Sequence, residues 1–275
     1  MENLDALIFV DTNILLDFYR IRQSDISVAY LKRLEDCKDR LIASSQVEME
    51  YKKNRQKAIL ESLTKYSTPD WGKLTPPALL ADSQAAKTIE KKKKEIITQQ
   101  KKVNDKVEKV LHNPSGNDQV YQSLQRIFKN DSPYNLTREF KSRFTIRNLA
   151  RKRFSLGYPP RKDSDTSIGD AVNWEWIIEC AKTSGKDIVI VTRDTDYGAI
   201  YKGQSYINDW LNQEFKERVS RKRKLILTDK LSVALKAVDA VVTKEMEEAE
   251  QEMLDFIEWL DKQVVNDRQG TVHDE

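Results

Sequence analysis

Four short apolar runs in the chain are rich in strand-forming side chains, and the segments that follow them carry apolar residues at helical spacing. The predicted strands are residues 7–10, 41–43, 187–191 and 225–227. The predicted helices are residues 26–34, a helix from Ser45, a helix from Gly169 that ends before Gly185, and residues 208–219. Strands that alternate with helices indicate a central, mainly parallel sheet in a three-layer α/β/α sandwich.

Two segments depart from this alternation. Residues 60–152 have the pattern of long polar helices interrupted by proline-containing breaks, so we predict a basic helical insertion between two halves of the core, residues 1–59 and 153–230. Beyond Leu231, apolar residues recur every three or four positions as far as Leu260. This spacing predicts one long acidic helix and tail, residues 231–275. The apolar side chains of this helix must pack against another surface to be shielded from solvent. We expect that surface to be the protein's own insertion, with a second copy of the chain or another protein as alternatives.

Composition excludes several classes of protein. With 39% hydrophobic and 33% charged residues in a chain of 275, the protein is globular, and its apolar runs are far shorter than a membrane span. The two cysteines form no CxxC motif. With only two histidines in the chain, we expect neither a histidine-rich metal site nor nuclease chemistry that uses paired histidines. Neither a Walker loop nor a GxGxxG motif occurs. We therefore expect a soluble cytoplasmic protein without a membrane partner.

Charge is distributed unevenly along the chain. Residues 126–162 contain eleven basic residues and two acidic ones, whereas residues 239–275 contain three basic and twelve acidic residues. Aromatic residues are interleaved with the basic ones, a composition that suits a phosphate backbone and stacked bases. The alternative is that the aromatic rings pack inward while the basic side chains stand in solvent.

Acidic residues stand at the junctions between predicted strands and helices. In an open α/β sheet, ligands bind beyond the carboxyl ends of the strands. The acids at these junctions are Asp11, Glu50, Asp170, Asp194 and, two residues further on, Asp196. Hard oxygen ligands from separate elements favour a Mg²⁺ or Mn²⁺ site that hydrolyses phosphodiesters. Each acid taken alone also fits a helix cap or a first helical turn.

Glu48 and Glu50 compete for the second acidic position. Ser45 and Glu48 fit a capping box, which gives Glu48 a structural role. Glu50 is the neighbour able to border the buried face near the sheet edge, and we choose Glu50.

Four stretches carry a recognisable pattern, namely residues 8–20, residues 46–55, Gly169-Asp170 and residues 191–198. In these stretches the chain resembles PIN-domain nucleases, in particular the larger bacterial PIN-like proteins with a helical insertion. The resemblance implies an α/β/α sandwich in which Asp11, Glu50, Asp170 and Asp194 are the family's four acids. It also implies Asn13 and Thr192 as supporting polar residues, dependence on Mg²⁺ or Mn²⁺, and cleavage of single-stranded RNA or, less often, of DNA.

The resulting hypothesis is a metal-dependent endoribonuclease. Asp11, Asp170 and Asp194 are expected to bind one or two ions directly, with Glu50 as a further ligand, directly or through water, and Asp196 as an additional metal-binding residue. A catalytically silent PIN-like module that binds nucleic acid or mediates assembly is one alternative, and a DNA-directed nuclease is another. The sequence does not distinguish among three biological roles for such a protein: a toxin, a phage-defence effector or an RNA-processing factor.

We expect the basic segment to form a wall of the substrate channel, because it runs directly into Gly169-Asp170. The side chains expected to contact nucleic acid are Arg147, Arg151, Lys152, Arg153, Arg161 and Lys162.

Overall fold

The computed structural model describes residues 4–20, 24–64, 75–161 and 167–270. Its strands are β1 (Ala6–Val10), β2 (Leu41–Ser44), β3 (Asn135–Leu136), β4 (Asp187–Val191), β5 (Gly198–Tyr201), β6 (Gln204–Ile207) and β7 (Leu225–Thr228). Five of them form a parallel sheet in the order β3-β2-β1-β4-β7, and β5 and β6 form a separate antiparallel hairpin.

Helices surround this sheet. They are α1 (Thr12–Leu16), α2 (Ser24–Asp36), α3 (Ser45–Thr64), α4 (Gln84–His112), α5 (Pro114–Asn117), α6 (Gln119–Phe128), α7 (Arg143–Ser155), α8 (Gly169–Ser184), α9 (Asp209–Arg218), α10 (Leu231–Ala237) and α11 (Lys244–Gly270). Helix α8 packs on β2 and β4, while α10 packs on β1, β4 and β7. Helix α7 in turn packs on α8, and α2 packs on α6.

The core lies along the two central strands. Every residue of β1 and β4 is buried, and successive strand residues face opposite sides, so both faces of the sheet are covered. Ile8 is aligned with Leu41 on one side and with Val189 on the other. The α/β class expected from the sequence is therefore confirmed, as are the four predicted strands.

Strands β3, β5 and β6 were not predicted, because their sequences show only a weak alternation of polar and apolar residues. Strand β3 has only two residues, too few to show any alternation. The hairpin formed by β5 and β6 is largely exposed, and its polar and apolar residues give no strong strand signal.

The predicted insertion, residues 60–152, is too long at both ends. Helix α3 runs without interruption to Thr64, and β3 pairs with β2 in the main sheet. Leu124 and Ile127 of α6 and Ile146 of α7 are buried in the main core. The part that departs from the core is therefore centred on α4, a 29-residue helix whose apolar side chains Ile96, Ile97 and Val103 are exposed.

The predicted single C-terminal helix is also wrong, because the chain bends between α10 and α11, where Asp239 has a φ of 62°. The first turns of α11 pack on α2 and α10, whereas we expected the insertion as the packing partner. Tyr30 of α2 donates a hydrogen bond to the Met246 carbonyl at 3.0 Å. Glu250 accepts bonds from the backbone amides of Leu231 and Ser232 at 2.6 and 3.1 Å, so it caps α10. Further along α11, the Trp259 side chain is exposed.

Within the described part of the chain, no helix combines the length and the apolar character that a membrane span requires.

Candidate active site

A cavity of about 390 Å³ opens where β1 and β4 end. Its lining consists of Asp11, Thr12, Asn13, Leu16, Met49, Glu50, Lys53, Asn54, Ser167, Asp170 and Asp194. The four acids that we expected to act together thus line one cavity, although they lie on four separate elements or junctions. Their position agrees with the rule that ligands of parallel α/β sheets bind at the carboxyl ends of the strands.

Asp11 is the most constrained of the four acids. It directly follows β1, is 4% exposed and accepts a 2.6 Å bond from the Thr12 amide at the start of α1. Its other oxygen accepts hydrogen bonds from the Asn13 amide group at 2.9 Å and the Thr192 hydroxyl at 2.6 Å. Asn13 and Thr192 therefore hold the Asp11 carboxylate from two strand ends, the supporting position that the resemblance implied.

Burial raises the pKa of the Asp11 carboxyl from 3.8 to about 6. The negative charges of Asp194 and Glu50 also raise this pKa, while the hydrogen bonds from Thr192 and Thr12 lower it. Repulsion among neighbouring carboxylates is the electrostatic situation that a bound cation relieves.

Glu50 reaches the cavity from α3. Its Oε2 accepts a bond from the Thr12 hydroxyl at 3.2 Å, and its Oε1 accepts one from the Gln46 side chain at 2.6 Å. Glu48 pairs with Lys52 at 2.6 Å, so the structure places Glu50 and not Glu48 in the cavity. The expected capping box is wrong, because the Ser44 hydroxyl accepts the bond from the Val47 amide.

Gly169 makes room for Glu50 at the start of α8. A Cβ atom at Gly169 would lie 2.3 Å from Oε1 of Glu50 and 2.9 Å from the Gln46 amide nitrogen. The carboxylate thus lies against the first turn of α8, where the helix dipole stabilises negative charge. Asp170, the next residue, lines the same cavity.

Asp194 and Asp196 follow β4. The Asp194 amide donates to the Thr192 hydroxyl at 3.0 Å, and Asp194 lines the cavity. Asp196 lies in a 3-10 helix, residues Thr195–Tyr197, is half-buried, and is not among the described residues that line the cavity.

The donor set fits a hard divalent cation, although the carboxylates are not gathered into a tight cluster. Among the residues that the structure describes, no group of three or more His, Cys, Asp or Glu side chains could hold a metal ion as it stands. Mg²⁺ usually keeps several waters and takes only one or two carboxylates directly. The arrangement therefore suits direct ligation by one or two acids, with water between the ion and the others, instead of the expected direct ligation by three.

Two further residues at the site were not singled out from the sequence. Tyr197 is 1% exposed, and its hydroxyl has no hydrogen-bond partner among the residues described. Burial raises the pKa of this hydroxyl far above its ordinary value, and the charges of Asp170 and Asp11 raise it further. The Arg193 guanidinium pairs with Asp17 behind the cavity and donates to the Asn13 carbonyl at 3.4 Å. It adds a fixed positive charge beside the acids.

Lys53 and Asn54 of α3 also line the cavity. Lys53 is exposed, so its ammonium group is available to an anionic ligand at the entrance. The sequence contained the information to predict both residues, because they lie one helical turn after Glu50 and therefore on the same side of α3.

The predicted contacts to nucleic acid separate into two groups. Arg147, Arg151 and Lys152 of α7 are exposed, and so is Arg161 just beyond it. Arg153 is 4% exposed and pairs with Glu175 and Glu214, so its prediction as a phosphate contact is wrong. Lys162 lies outside the described residues.

The aromatic residues of the basic segment are divided in the same way. Phe128 is buried in the core, and Phe140 is partly buried and packs against the core. Phe144 and Tyr158 are exposed. The interpretation in which the aromatic rings pack inward is therefore correct for part of the segment, and binding of nucleic acid by the exposed part stays a prediction.

A family model described as a PIN domain matches residues 8–197, which is more than half of the chain and extends from β1 to Tyr197. No curated protein and no solved structure matches the chain. The matched range contains all four acids that line the cavity. The chain belongs to the PIN-domain family, whose members are usually nucleases.

Proposed function

We propose that the protein is a metal-dependent endonuclease that hydrolyses phosphodiester bonds in single-stranded or structured RNA. The observation that carries this proposal is the convergence of Asp11, Glu50, Asp170 and Asp194 on one cavity. Burial raises the pKa of Asp11, and the charges of Asp194 and Glu50 raise it further, so a cation at this cavity would relieve both the loss of solvent and the repulsion.

Each group in the cavity has a role in this proposal. A bound Mg²⁺ or Mn²⁺ ion supplies positive charge beside the scissile phosphate and makes water more acidic. The acids hold the ion directly or through water, and Asn13 and Thr192 keep the Asp11 carboxylate in one orientation. Lys53 at the entrance binds a phosphate of the substrate.

The preference for RNA over DNA rests on the resemblance to PIN-domain nucleases, whereas surface charge supports a nucleic-acid substrate of either kind. Arg147, Arg151, Lys152 and Arg161 are exposed on or beside α7, and α7 packs on α8, the helix that begins with Gly169 and Asp170. A flexible single strand can follow these cations into the cavity and present its backbone to the acids.

The test is cleavage of a panel of substrates by the whole protein. Labelled single-stranded RNA, tRNA, single-stranded DNA and duplex DNA are incubated with Mg²⁺, with Mn²⁺ or with EDTA. We expect RNA to be cut only with metal, and Asp11→Asn and Asp194→Asn to slow cleavage about 100-fold or more. Cleavage of DNA alone would identify a DNA-directed nuclease instead.

Glu50 and Glu48 supply a matched pair of variants. Both are glutamates of α3, but only Glu50 lines the cavity. We expect Glu50→Gln to slow cleavage and Glu48→Gln to leave it unchanged. Absence of cleavage together with absence of stabilisation by Mn²⁺ would favour a catalytically silent module.

A further inference from the structure

Tyr197 ends in a buried hydroxyl for which the described part of the chain holds no hydrogen-bond partner. The residue is the last of the 3-10 helix Thr195–Tyr197, which directly follows Asp194, and it is 1% exposed. A buried hydroxyl that neither donates nor accepts has lost its bonds to water and gained none in return, so it lowers stability. In a native protein such a group indicates a functional role or a partner that arrives with a ligand.

The two other tyrosines that are buried in the described residues have partners. Tyr30, which is also 1% exposed, donates to the Met246 carbonyl at 3.0 Å. The hydroxyl of Tyr51 lies 2.7 Å from that of Tyr19. Burial of a tyrosine in this core therefore does not in itself leave the hydroxyl without a bond.

The ring of Tyr197 lies beside the end of β1. Its centre is 6.4 Å from the ring centre of Phe9. Phe9 precedes Asp11 by two residues, and the backbone of Asp11 is still extended. Residues two apart along an extended chain point to the same face, so Tyr197 packs on the face of β1 to which the Asp11 side chain belongs.

The backbone after Tyr197 keeps the ring in this position. The next residue, Gly198, lies so close to β6 that a Cβ atom there would collide with the Tyr206 carbonyl oxygen. The Tyr197 carbonyl in turn accepts a bond from the Asn208 amide at 2.9 Å. The start and the end of the hairpin are thus both fixed against Tyr197, and the hydroxyl has a defined place.

The acids of the cavity lie around this hydroxyl. Burial is the main cause of its raised pKa, and the charges of all four acids raise that pKa further, Asp170 most strongly. Because the interaction of charges falls with distance, the hydroxyl lies near the first turn of α8, to which Asp170 belongs. A hydroxyl that is near four carboxylates and bonded to none of them is placed to bond one that moves.

Asp170 is the acid best placed to accept the hydroxyl proton. Both oxygens of Asp11 and both oxygens of Glu50 already accept hydrogen bonds. The Asp170 side chain is only partly buried, so it has room to turn. Without a cation, repulsion by the other acids opposes a turn toward them. A divalent cation in the cavity reverses this force and draws Asp170 toward Asp11, beside which the Tyr197 ring lies.

We propose that Tyr197 is a positioning residue whose hydroxyl donates a hydrogen bond to the Asp170 carboxylate when a divalent cation occupies the acidic cavity. The proposal rests on the metal site of the proposed function. Hydrogen bonds from neighbouring groups to metal-binding carboxylates orient these ligands, and bonds to a charged acceptor are the strong ones. Because this bond forms only in the cation-bound protein, it contributes to cation affinity and not to the stability of the metal-free protein.

Tyr197→Phe tests both halves of this statement in the whole protein without nucleic acid. Mn²⁺ is titrated into the protein, and the free ion is followed by its electron paramagnetic resonance signal. We expect Tyr197→Phe to bind Mn²⁺ about tenfold more weakly than the parent. In EDTA, the midpoint of its urea unfolding should be no lower than that of the parent, because the substitution removes no bond from the metal-free protein.

Tyr30→Phe is the matched control, because it removes a hydroxyl that is equally buried but already bonded. We expect it to lower the urea midpoint in EDTA and to leave the Mn²⁺ affinity unchanged. A midpoint that falls in Tyr197→Phe as it does in Tyr30→Phe would show that the Tyr197 hydroxyl has a partner without metal, and would overturn the proposal.

Nuclear magnetic resonance observes the bond directly. Tyrosine is labelled with ¹³C at the ring carbon that bears the hydroxyl, and the signal that is missing in Tyr197→Phe is that of Tyr197. We expect this signal to shift when Mg²⁺ is added, while the Tyr30 signal stays in place. An unshifted Tyr197 signal in the Mg²⁺-saturated parent would contradict the bond, and a shift that persists in Asp170→Asn would overturn the assignment to Asp170.

The outcomes separate the hydroxyl from the metal site. Equal Mn²⁺ affinity of the parent and Tyr197→Phe would retain the metal site and reject the role of Tyr197. A parent that binds no Mn²⁺ would reject the metal site of the proposed function and, with it, this role.

Discussion

Asp11 is expected to make the metal-free protein less stable as the pH rises, and Asp11→Asn is expected to remove this effect. In the folded protein, burial raises the pKa of the Asp11 carboxyl to about 6, whereas the unfolded chain titrates near the ordinary value of 3.8. Between these values the unfolded chain has lost the proton that the folded protein still holds. Raising the pH through this window therefore favours unfolding, so the loss begins near pH 4 and is complete above pH 6.

The magnitude follows from the difference of about 2 pH units. It corresponds to about 3 kcal/mol of unfolding free energy, of which about 1.4 kcal/mol is lost between pH 5 and pH 8. An asparagine has no proton to lose, so the stability of the variant relative to the parent should rise by about 1.4 kcal/mol over that interval. Hydrogen bonds weakened by the substitution cost about 1 kcal/mol each but do so equally at every pH.

The assay is urea unfolding in EDTA, followed by tryptophan fluorescence at pH 5, 6, 7 and 8. Glu48→Gln serves as the control, because Glu48 lies in a surface ion pair with Lys52. A stability difference between Asp11→Asn and the parent that does not change with pH would refute the reasoning. At pH 8 we also expect Mn²⁺ to stabilise the parent more than the variant, because the ion replaces the proton as partner of the carboxylates.

Three further substitutions test individual contacts of the fold. Gly169→Ala places a methyl group against the Glu50 carboxylate, so we expect cleavage to fall as in Glu50→Gln, with the unfolding free energy changed by less than about 1 kcal/mol. Arg153→Ala removes one of the two cations that pair with Glu175 and Glu214, the other being Arg218, and should cost about 3 kcal/mol of unfolding free energy. Arg151→Ala should cost less than about 0.5 kcal/mol. Glu250→Ala removes the cap of α10 and should lower the unfolding free energy by about 2 kcal/mol.

The sheet and the acids were predictable because local sequence determines them. Residues 187–191 form a continuous apolar run, and β4 has these same bounds. Asp11 directly follows β1, and Asp194 closely follows β4. The parallel sheet brings the carboxyl ends of these two strands to one edge. Gly185 has a φ of 63°, the left-handed conformation that its place after α8 predicts.

The rest depends on which elements meet in space. Arg153 was counted among the exposed cations, although Ile146, Ala150 and Arg153 recur at helical spacing and are all buried on one face of α7. That face packs on α8, where Glu175 supplies the opposite charge. A charge on an apolar helix face signals a buried ion pair, but its partner lies 22 residues away along the chain and belongs to another helix.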